Sequence, residues 1–261
     1  MDHRDGNQPD TPPTADTGFK ADRDGTRFIP GGRPVPVGNG ISWLFDAWGL
    51  FKRQAGLWIG FILCYAAMFF LSRRIPLGSV ILAFVQFLLV AGVIHSCDLL
   101  RRKGAFVFGD LFAAFQRNTG PLLIACLICS GFLLVVTFIV GLFGGSAVLA
   151  MASGDPSVSV GMGTIIGLLI FGGGSLVIYV MMVWFTPALI MLHDIAPVEA
   201  IKMSFFACRK NLLPGIVFFI ILTVLVTISS IPALLGLLIT MPIALICYYT
   251  SYCDIFLDKG N

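Results

Sequence analysis

The stretch that decides the fold is IPLGSVILAFVQFLLVAGVIHSCD, residues 75–98, which carries no charge before its final aspartate. A helix of about 20 apolar residues is long enough to cross the roughly 30 Å hydrocarbon core of a bilayer. Five other runs meet this criterion, so the predicted spans are 56–72, 76–97, 121–143, 163–187, 212–230 and 232–252. We therefore predict an all-α integral membrane protein with six transmembrane helices.

The fourth apolar run is longer than one straight crossing needs, because it continues to Leu192. Glycine clusters and prolines are common causes of a sharp bend in a helix. We therefore expect the fourth helix to bend or break at Gly172-Gly173-Gly174 or at Pro187.

The composition supports a membrane location and excludes several other classes of protein. Of the 261 residues, 57% are hydrophobic and only 12% are charged, and the mean hydropathy is +0.92. A soluble domain carries about 25% charged residues, so an ordinary soluble enzyme is excluded. The net charge of +3 is too small for a nucleic-acid-binding protein, and we expect no nucleic acid partner.

The chain repeats itself. Residues 75–98 align without gaps with residues 231–254, and both segments start with Ile-Pro and end with Cys-Asp. Amphipathic stretches precede the hairpins, with apolar residues three and four positions apart, as on one face of a helix. Their apolar stripes are Ile41, Leu44, Trp48, Phe51, Ala55, then Phe108, Phe112, Phe115, and finally Val198, Ile201, Phe205, Cys208, Leu212.

This pattern predicts three pseudo-repeated hairpins, each preceded by an amphipathic interfacial helix. The repeat units cover about residues 41–100, 105–194 and 197–256. Because each unit crosses the membrane twice, all three have the same orientation, unlike the inverted repeats of many transporters.

Residues 1–40 are rich in proline, glycine and aspartate and contain few large apolar side chains. Such a composition buries too little apolar area to offset the entropy of ordering, so we predict a disordered tail. The membrane domain then covers residues 41–257, and residues 258–261 form a short C-terminal tail.

The basic residues predict the orientation. With six spans, both tails and the loops at 98–120 and 194–211 share one side of the membrane. Of the 17 Lys and Arg residues, all except Arg73 and Arg74 lie on that side. Because loops rich in Lys and Arg stay in the cytoplasm, we predict that both termini are cytoplasmic.

Charged residues recur at equivalent positions on this side. Each even-numbered span ends in an aspartate, and each amphipathic stretch ends with a basic residue. The residues are Asp98, Asp194, Asp254, Arg53, Arg117 and Lys210. An aspartate at a helix C-terminus opposes the macrodipole, so we expect the three acids to pair with the three bases. The alternative is that all six are solvated ions, which contribute little individually.

An amide side chain closes each amphipathic stretch, at Gln54, Asn118 and Asn211. We expect these amides to cap the C-terminal ends of the interfacial helices before the chain turns into the membrane. Glycine and proline then supply the turn, at Gly56, Gly120, Pro121, Pro214 and Gly215.

One polar residue interrupts the apolar spans near their middle. It is Gln86, and its counterpart in the last repeat is Pro242. Interruptions at matching positions are typical of a binding site in a repeat transporter. The alternative is a glutamine hydrogen-bonded to a neighbouring helix and a tolerated proline kink.

The usual signs of chemistry are missing from the sequence. No Asp, Glu, Lys or Arg lies in the core of a predicted span, where proton relays and ion paths place them. The chain has no HExxH, GxSxG or P-loop motif, and the single CxxC, Cys126 and Cys129, lies mid-membrane without a second pair. We therefore expect no catalytic, cofactor or metal site and no enzymatic activity.

Four segments resemble a known family: ISWLFDAWGLF (41–51), FTPAL (185–189), EAIKMSFFAC (199–208) and SYCDIF (251–256). Over about residues 33–256 the chain resembles a family of uncharacterised bacterial multi-pass inner-membrane proteins, a domain of unknown function. It is more distantly similar to the membrane domain fused to some bacterial glycerophosphodiester phosphodiesterases. The resemblance implies a location in the bacterial inner (cytoplasmic) membrane and carries over no active site. Relatives often have arginine in place of Cys253, so this position is not expected to require a charge.

These observations lead to two functional hypotheses. The first is a non-catalytic inner-membrane protein that organises lipid or protein partners through its basic cytoplasmic face. Its partners would include the phospholipid bilayer and anionic lipid, because basic amphipathic helices bind anionic headgroups. The alternative is a transporter or channel for a neutral or lipidic solute, favoured by Gln86, Pro242 and the glycine-rich fourth span.

Overall fold

The computed structural model describes residues 26–152, 162–231 and 235–259, and these residues are mainly helical. The α-helices are α1 Asn39–Arg53, α2 Ala55–Ser72, α3 Gly78–Lys103, α4 Thr119–Ala152, α5 Met162–Val183, α6 Thr186–His193, α7 Pro197–Lys210, α8 Leu212–Ser230 and α9 Leu237–Phe256. A 3₁₀ helix covers Phe108–Phe115, and two short strands are β1 Thr26–Phe28 and β2 Leu257–Lys259.

Six of the described helical stretches are long and apolar enough to cross a bilayer. They are Ala55–Ser72, Gly78–Lys103, Thr119–Gly145, Ile166–His193, Leu212–Ser230 and Leu237–Phe256. This confirms the prediction of a mainly helical protein with six membrane-length helices. The ends differ by a few residues, because hydropathy locates an apolar run better than the hydrogen bonds that end a helix.

The fourth long helix breaks immediately before a proline. Helix α5 ends at Val183 and α6 begins at Thr186, with Pro187 in the first turn of α6. Proline has no N–H to donate to the carbonyl four residues earlier, which is that of Val183. In the first turn of a helix this donor is not needed. The other predicted break point, Gly172–Gly174, lies inside α5 and does not interrupt it.

The predicted boundary of a disordered tail at residue 40 is wrong, because residues 26–38 are part of the fold. Strand β1 pairs antiparallel with β2, with Phe28 opposite Leu257. The Ile29 N–H then donates to the Phe256 carbonyl at 2.8 Å. Composition alone cannot reveal a partner strand more than 200 residues away, so the small sheet was missed and the all-α description needs this addition. The remaining part of the predicted tail, residues 1–25, lies outside the described residues, as do residues 260 and 261.

The amphipathic stretches bury only part of the predicted apolar stripes. Helix α1 buries Leu44 and Phe51 of the predicted stripe together with Trp43 and Ala47, which lie outside it. The stripe residues Ile41 and Trp48 are instead 41% and 40% exposed. The middle stretch is a 3₁₀ helix of 8 residues rather than an α-helix. Apolar residues occur on more than one side of these short helices, so spacing alone does not select the buried side.

Helices α3 and α9, together with α6 at the end of the fourth span, form the centre of the bundle. Helices α3, α6 and α9 contact one another, whereas α2, α4 and α8 lie outside them. In the most apolar parts of α3 and α9, 61% and 50% of the residues are buried, against 22% or less in α2, α4, α8 and the fourth span, Ile166–His193. The outer helices therefore present mainly apolar side chains outward, as expected of a surface that faces lipid.

The three short helices pack in a cyclic order. Helix α1 packs on α9 and α8, the 3₁₀ helix packs on α3, and α7 packs on α5 and α6. One of these contacts depends on a glycine, because a Cβ atom at Gly92 of α3 would lie 1.9 Å from the carbonyl oxygen of Leu111. The first short helix thus packs against the last membrane helix.

Candidate functional site

One end of the bundle gathers most of the charged side chains, and we call it the basic end. It comprises α1, the 3₁₀ helix, α7, residues 26–38 and the C-terminal ends of α3, α6 and α9. Among the described residues, only Arg73 and Arg74 place a basic side chain at the opposite end. All six charged residues singled out from the sequence lie at the basic end.

Asp254 joins three segments that are distant in sequence. Its Oδ2 atom accepts hydrogen bonds from Asn39 Nδ2 at 2.8 Å and from Trp43 Nε1 at 2.9 Å, both in α1. On the other side, Arg33 NH2 lies 3.8 Å from its Oδ1 atom. The carboxylate is therefore fully engaged by the N-terminal part of the chain, and it fixes α1 to the end of α9.

Asp98 is bound within the central helices. Its Oδ1 atom accepts a hydrogen bond from the Tyr249 hydroxyl at 3.0 Å, and Arg102 Nε lies 2.8 Å from Oδ2. The side chain of Asp98 is 13% exposed. It therefore acts as a link between α3 and α9.

Asp194 has a more open position. It is the residue that ends α6, with a left-handed φ of 54°. Its Oδ1 atom accepts from Asn118 Nδ2 at 2.7 Å, and Arg117 NH2 lies 3.7 Å from Oδ2. Both charged side chains are more than half exposed, so this ion pair adds little to stability.

The structure thus brings Arg117 to Asp194 but does not pair the other two bases as expected from the repeat. Lys210 Nζ donates to the carbonyl oxygens of Gly31 and Gly32, at 3.0 and 3.3 Å. Arg53 makes no ion pair or hydrogen bond with any described residue. The reason is that residues 26–38, which were expected to be disordered, supply Arg33 to Asp254 and carbonyl groups to Lys210.

The amide side chains of Gln54, Asn118 and Asn211 each bind the backbone of a segment that is distant in sequence. Asn211, 3% exposed, donates from Nδ2 to the Arg33 carbonyl at 3.0 Å and accepts the Val35 N–H at 2.8 Å. Gln54 makes the same two-way contact with the backbone of Phe106, at 3.3 and 3.2 Å. We use the term amide clasps for these contacts of Asn211 and Gln54 and for the corresponding contact of Asn118.

The third amide clasp involves Asn118, which donates to the Ile190 carbonyl at 2.9 Å and to Asp194. In each case the amide at the end of one short helix holds the segment that precedes another. Gln54 follows α1 and holds the chain before the 3₁₀ helix. Asn118 follows the 3₁₀ helix and holds the chain before α7, and Asn211 follows α7 and holds the chain before α1.

Exposed aromatic side chains at the basic end carry cations above their rings. Lys52 Nζ lies 5.7 Å from the ring centre of Trp48, and the Arg209 guanidinium lies 5.5 Å from that of Phe206. The two rings are 40% and 48% exposed. An aromatic ring below a cation is suited to the boundary between acyl chains and headgroups, where one end of the pair is apolar and the other is wet.

The mid-membrane irregularity lies beside a cavity of about 670 Å³ between α2, α3 and α9. The Tyr65 hydroxyl donates to Gln86 Oε1 at 3.1 Å, so the glutamine is bonded to a neighbouring helix and also lines the cavity. Pro242 lies inside α9 and cannot donate to the carbonyl of Leu238, another lining residue. The cavity therefore combines an apolar wall with a few polar groups.

The sequence did not identify several residues of this site, notably Arg33, Asn39, Trp43 and Tyr249. A usable signal existed for Trp43, because a buried indole N–H usually has an acceptor. Within the described part of the chain, no group of three or more His, Cys, Asp and Glu side chains is placed to hold a metal ion.

No protein-family model, curated protein or solved structure matches this chain. The resemblance to a family of inner-membrane proteins therefore stays a prediction, and the function is argued from geometry.

Proposed function

We propose that this chain is a multi-pass protein of the bacterial inner membrane that organises lipid or protein partners through its basic end, without catalysis. In this proposal both termini and the basic end face the cytoplasm. The observation that carries it is the pairing of exposed aromatic rings with cations, Trp48 with Lys52 and Phe206 with Arg209.

The physical basis is the difference between the two layers that these side chains would meet. The rings and the neighbouring exposed residues Ile41 and Phe45 favour the acyl-chain boundary. The cations favour anionic headgroups, with about 1 kcal/mol for each Lys or Arg near the surface. Because an aromatic–cation pair lies on both α1 and α7, the basic end would bind lipid at more than one point.

The proposal includes the threefold repeat. Its support is the cyclic order of the short helices, each packed on an even-numbered span of another unit, and the matching cyclic order of the amide clasps. Both patterns follow directly if three like-oriented units are arranged as a ring. Residues 26–38, which we call the N-terminal segment, would then complete the ring at the place where the third unit meets the first.

Tryptophan fluorescence offers a test, because Trp48 is 40% exposed and the other three tryptophans are 9% exposed or less. The full chain is reconstituted in vesicles that contain brominated phosphatidylglycerol or brominated phosphatidylcholine at equal mole fraction. We expect stronger quenching by the anionic lipid, and a Trp48→Phe control should remove the difference. Equal quenching by both lipids would contradict a role in organising anionic lipid.

A second candidate function is transport of a neutral or lipidic solute. The observation that favours it is the 670 Å³ cavity, where Gln86 Nε2 makes no hydrogen bond with a described residue. In proteoliposomes, the transbilayer movement of a fluorescent phosphatidylcholine and the uptake of glycerol would be measured. Transport that falls in Gln86→Leu would favour this candidate, and wild-type rates equal to those of empty vesicles would reject it for both probes.

A further inference from the structure

We infer that the basic end contains a binding site for a phosphate group, formed by Arg53 and Arg101 and occupied in the membrane by an anionic phospholipid headgroup. The inference rests on the proposed function, because it names the lipid chemistry that the basic end recognises.

The site is a cavity of about 450 Å³ between α1, the C-terminal ends of α3 and α9, and the N-terminal segment. Its charged lining residues are three arginines and two aspartates: Arg33, Arg53, Arg101, Asp46 and Asp254. Phe45 and Leu50 add apolar surface to the same cavity. The lining therefore combines positively charged groups with apolar surface.

Not all of these charges are available to a ligand. Arg33 Nε donates to the Asp254 carbonyl oxygen at 2.9 Å, and its NH1 atom lies 3.5 Å from Asp258. The Asp254 carboxylate already accepts the Asn39 and Trp43 donors. These two residues thus neutralise each other and brace one wall of the cavity.

Arg53 and Arg101 are different, because neither forms an ion pair or hydrogen bond with any residue that the structure describes. The Nε atom of Arg101 is buried without an acceptor. A charged donor left unsatisfied in this way is costly, and an anion in the cavity would offset the cost. Two guanidinium groups that form no ion pair with a described residue therefore line the same cavity.

The chemistry of the two arginines selects a phosphate. The planar fork of a guanidinium matches the oxygen atoms of phosphate and binds them in a bidentate manner. Arg101 lies near the end of membrane-length α3, and Arg53 is the last residue of α1. Both positions correspond to the interface, where lipid phosphates lie, and Phe45, 71% exposed, could contact the first acyl carbons.

The carboxylate of Asp46 limits which headgroups the cavity would bind. Its carboxylate is an acceptor beside the two arginines and would repel a bare phosphate. A headgroup that carries hydroxyl donors next to its phosphate, such as phosphatidylglycerol, would satisfy it. Asp46→Asn should therefore strengthen the binding of simple phosphate, the opposite of the effect of removing an arginine.

The test uses the full chain in nanodiscs of equal parts phosphatidylglycerol and phosphatidylcholine. Lipids that stay bound after gentle release are identified by native mass spectrometry. We expect the wild type to retain phosphatidylglycerol selectively, and Arg53→Gln and Arg101→Gln to lower this retention about tenfold each. Arg73→Gln, at the opposite end, is the matched control and should behave as wild type. Because Arg53 is exposed, its replacement tests the site without disturbing the core.

A second measurement distinguishes a lipid phosphate from free inorganic phosphate. It also distinguishes failure of the phosphate site from failure of the proposed lipid function. The thermal stability of the detergent-solubilised protein is measured with inorganic phosphate and with chloride at equal ionic strength. Stabilisation by phosphate that Arg53→Gln abolishes, without selective lipid retention, supports the site and contradicts the proposed lipid function. Selective retention that both arginine variants leave unchanged overturns the site and leaves the proposed function standing. A wild type that responds in neither arm overturns both.

Discussion

The indole N–H of Trp43 donates to the carboxylate of Asp254 across 2.9 Å, although 211 residues separate the two in sequence. This bond joins the first short helix to the end of the last membrane helix. The same oxygen also accepts Asn39, so one carboxylate holds two donors of α1. At this point α1 is held against α9, the contact that completes the cyclic order of the short helices.

Removal of this acceptor should weaken the attachment of α1 to the end of α9. Asp254→Ala leaves the donors of Trp43 and Asn39 without a partner, and we expect a loss of about 2 kcal/mol in the free energy of unfolding. Thermal unfolding in one detergent measures the change. The matched control is Asp258→Ala, whose side chain is 51% exposed and forms only an ion pair at 3.5 Å. Its expected cost is below about 1 kcal/mol, and equal shifts for both variants would contradict the assignment.

The amide clasp of Asn211 should hold the N-terminal segment in place. Asn211→Leu removes the partners of the Arg33 carbonyl and the Val35 N–H, so the segment should detach more often. We expect a loss of about 2 kcal/mol or more, together with faster tryptic cleavage after Arg27, the cleavable basic residue of the same segment.

The control for this variant is Gln116→Leu, the same type of change at an exposed amide. It should leave both stability and cleavage near the wild-type level. Cleavage after Arg27 at an unchanged rate in Asn211→Leu would show that the clasp does not hold the segment.

The six membrane helices could be predicted from the sequence because each depends on its own apolar run. The break before Pro187 could also be anticipated, since the missing N–H of proline acts locally. The fold of residues 26–38 could not. Their composition favours disorder, and they are ordered only because β2 and Asn211, far along the chain, supply their hydrogen bonds.

The candidate site was predicted only in part for a related reason. The sequence pattern predicts Asp98, Asp194 and Asp254 at one level along the bundle. It does not predict which donor binds each of the three carboxylates. Tyr249 and Arg102 reach Asp98, and the N-terminal segment reaches Asp254. Arg53 was thereby left facing a cavity that no spacing in the sequence predicts.

Gly92 lies where the 3₁₀ helix packs closely on α3, and we expect its replacement to lower stability. A Cβ atom there would lie 1.9 Å from the Leu111 carbonyl oxygen, so Gly92→Ala must shift backbone and should cost several kcal/mol, on the order of other overpacked sites. Gly131→Ala is the control, because a Cβ atom at Gly131 meets nothing within 4 Å. Stability of the two variants would be compared by thermal unfolding. Similar behaviour would mean that the two helices are further apart than described.

The thiol of Cys208 in α7 should be chemically inert. Burial raises the pKa of Cys208 to about 12, and only the thiolate is nucleophilic. At pH 8 the thiolate fraction is then about one in ten thousand, so maleimide should label Cys208 only after unfolding in detergent such as dodecyl sulfate. Peptide mass spectrometry locates the label, and Cys208→Ser gives the background. Rapid labelling of the native protein at pH 8 would contradict the raised pKa of this partly buried thiol.

The central claim is that six crossings leave the basic end and both termini in the cytoplasm. The most direct measurement is a pair of reporters fused after residue 261, one fluorescent only in the cytoplasm and the other a phosphatase active only in the periplasm. A fusion after Arg74, in the loop between α2 and α3, provides the opposite orientation. The account predicts a fluorescent, phosphatase-negative C-terminus and the reverse at Arg74. An active phosphatase at the C-terminus would contradict it.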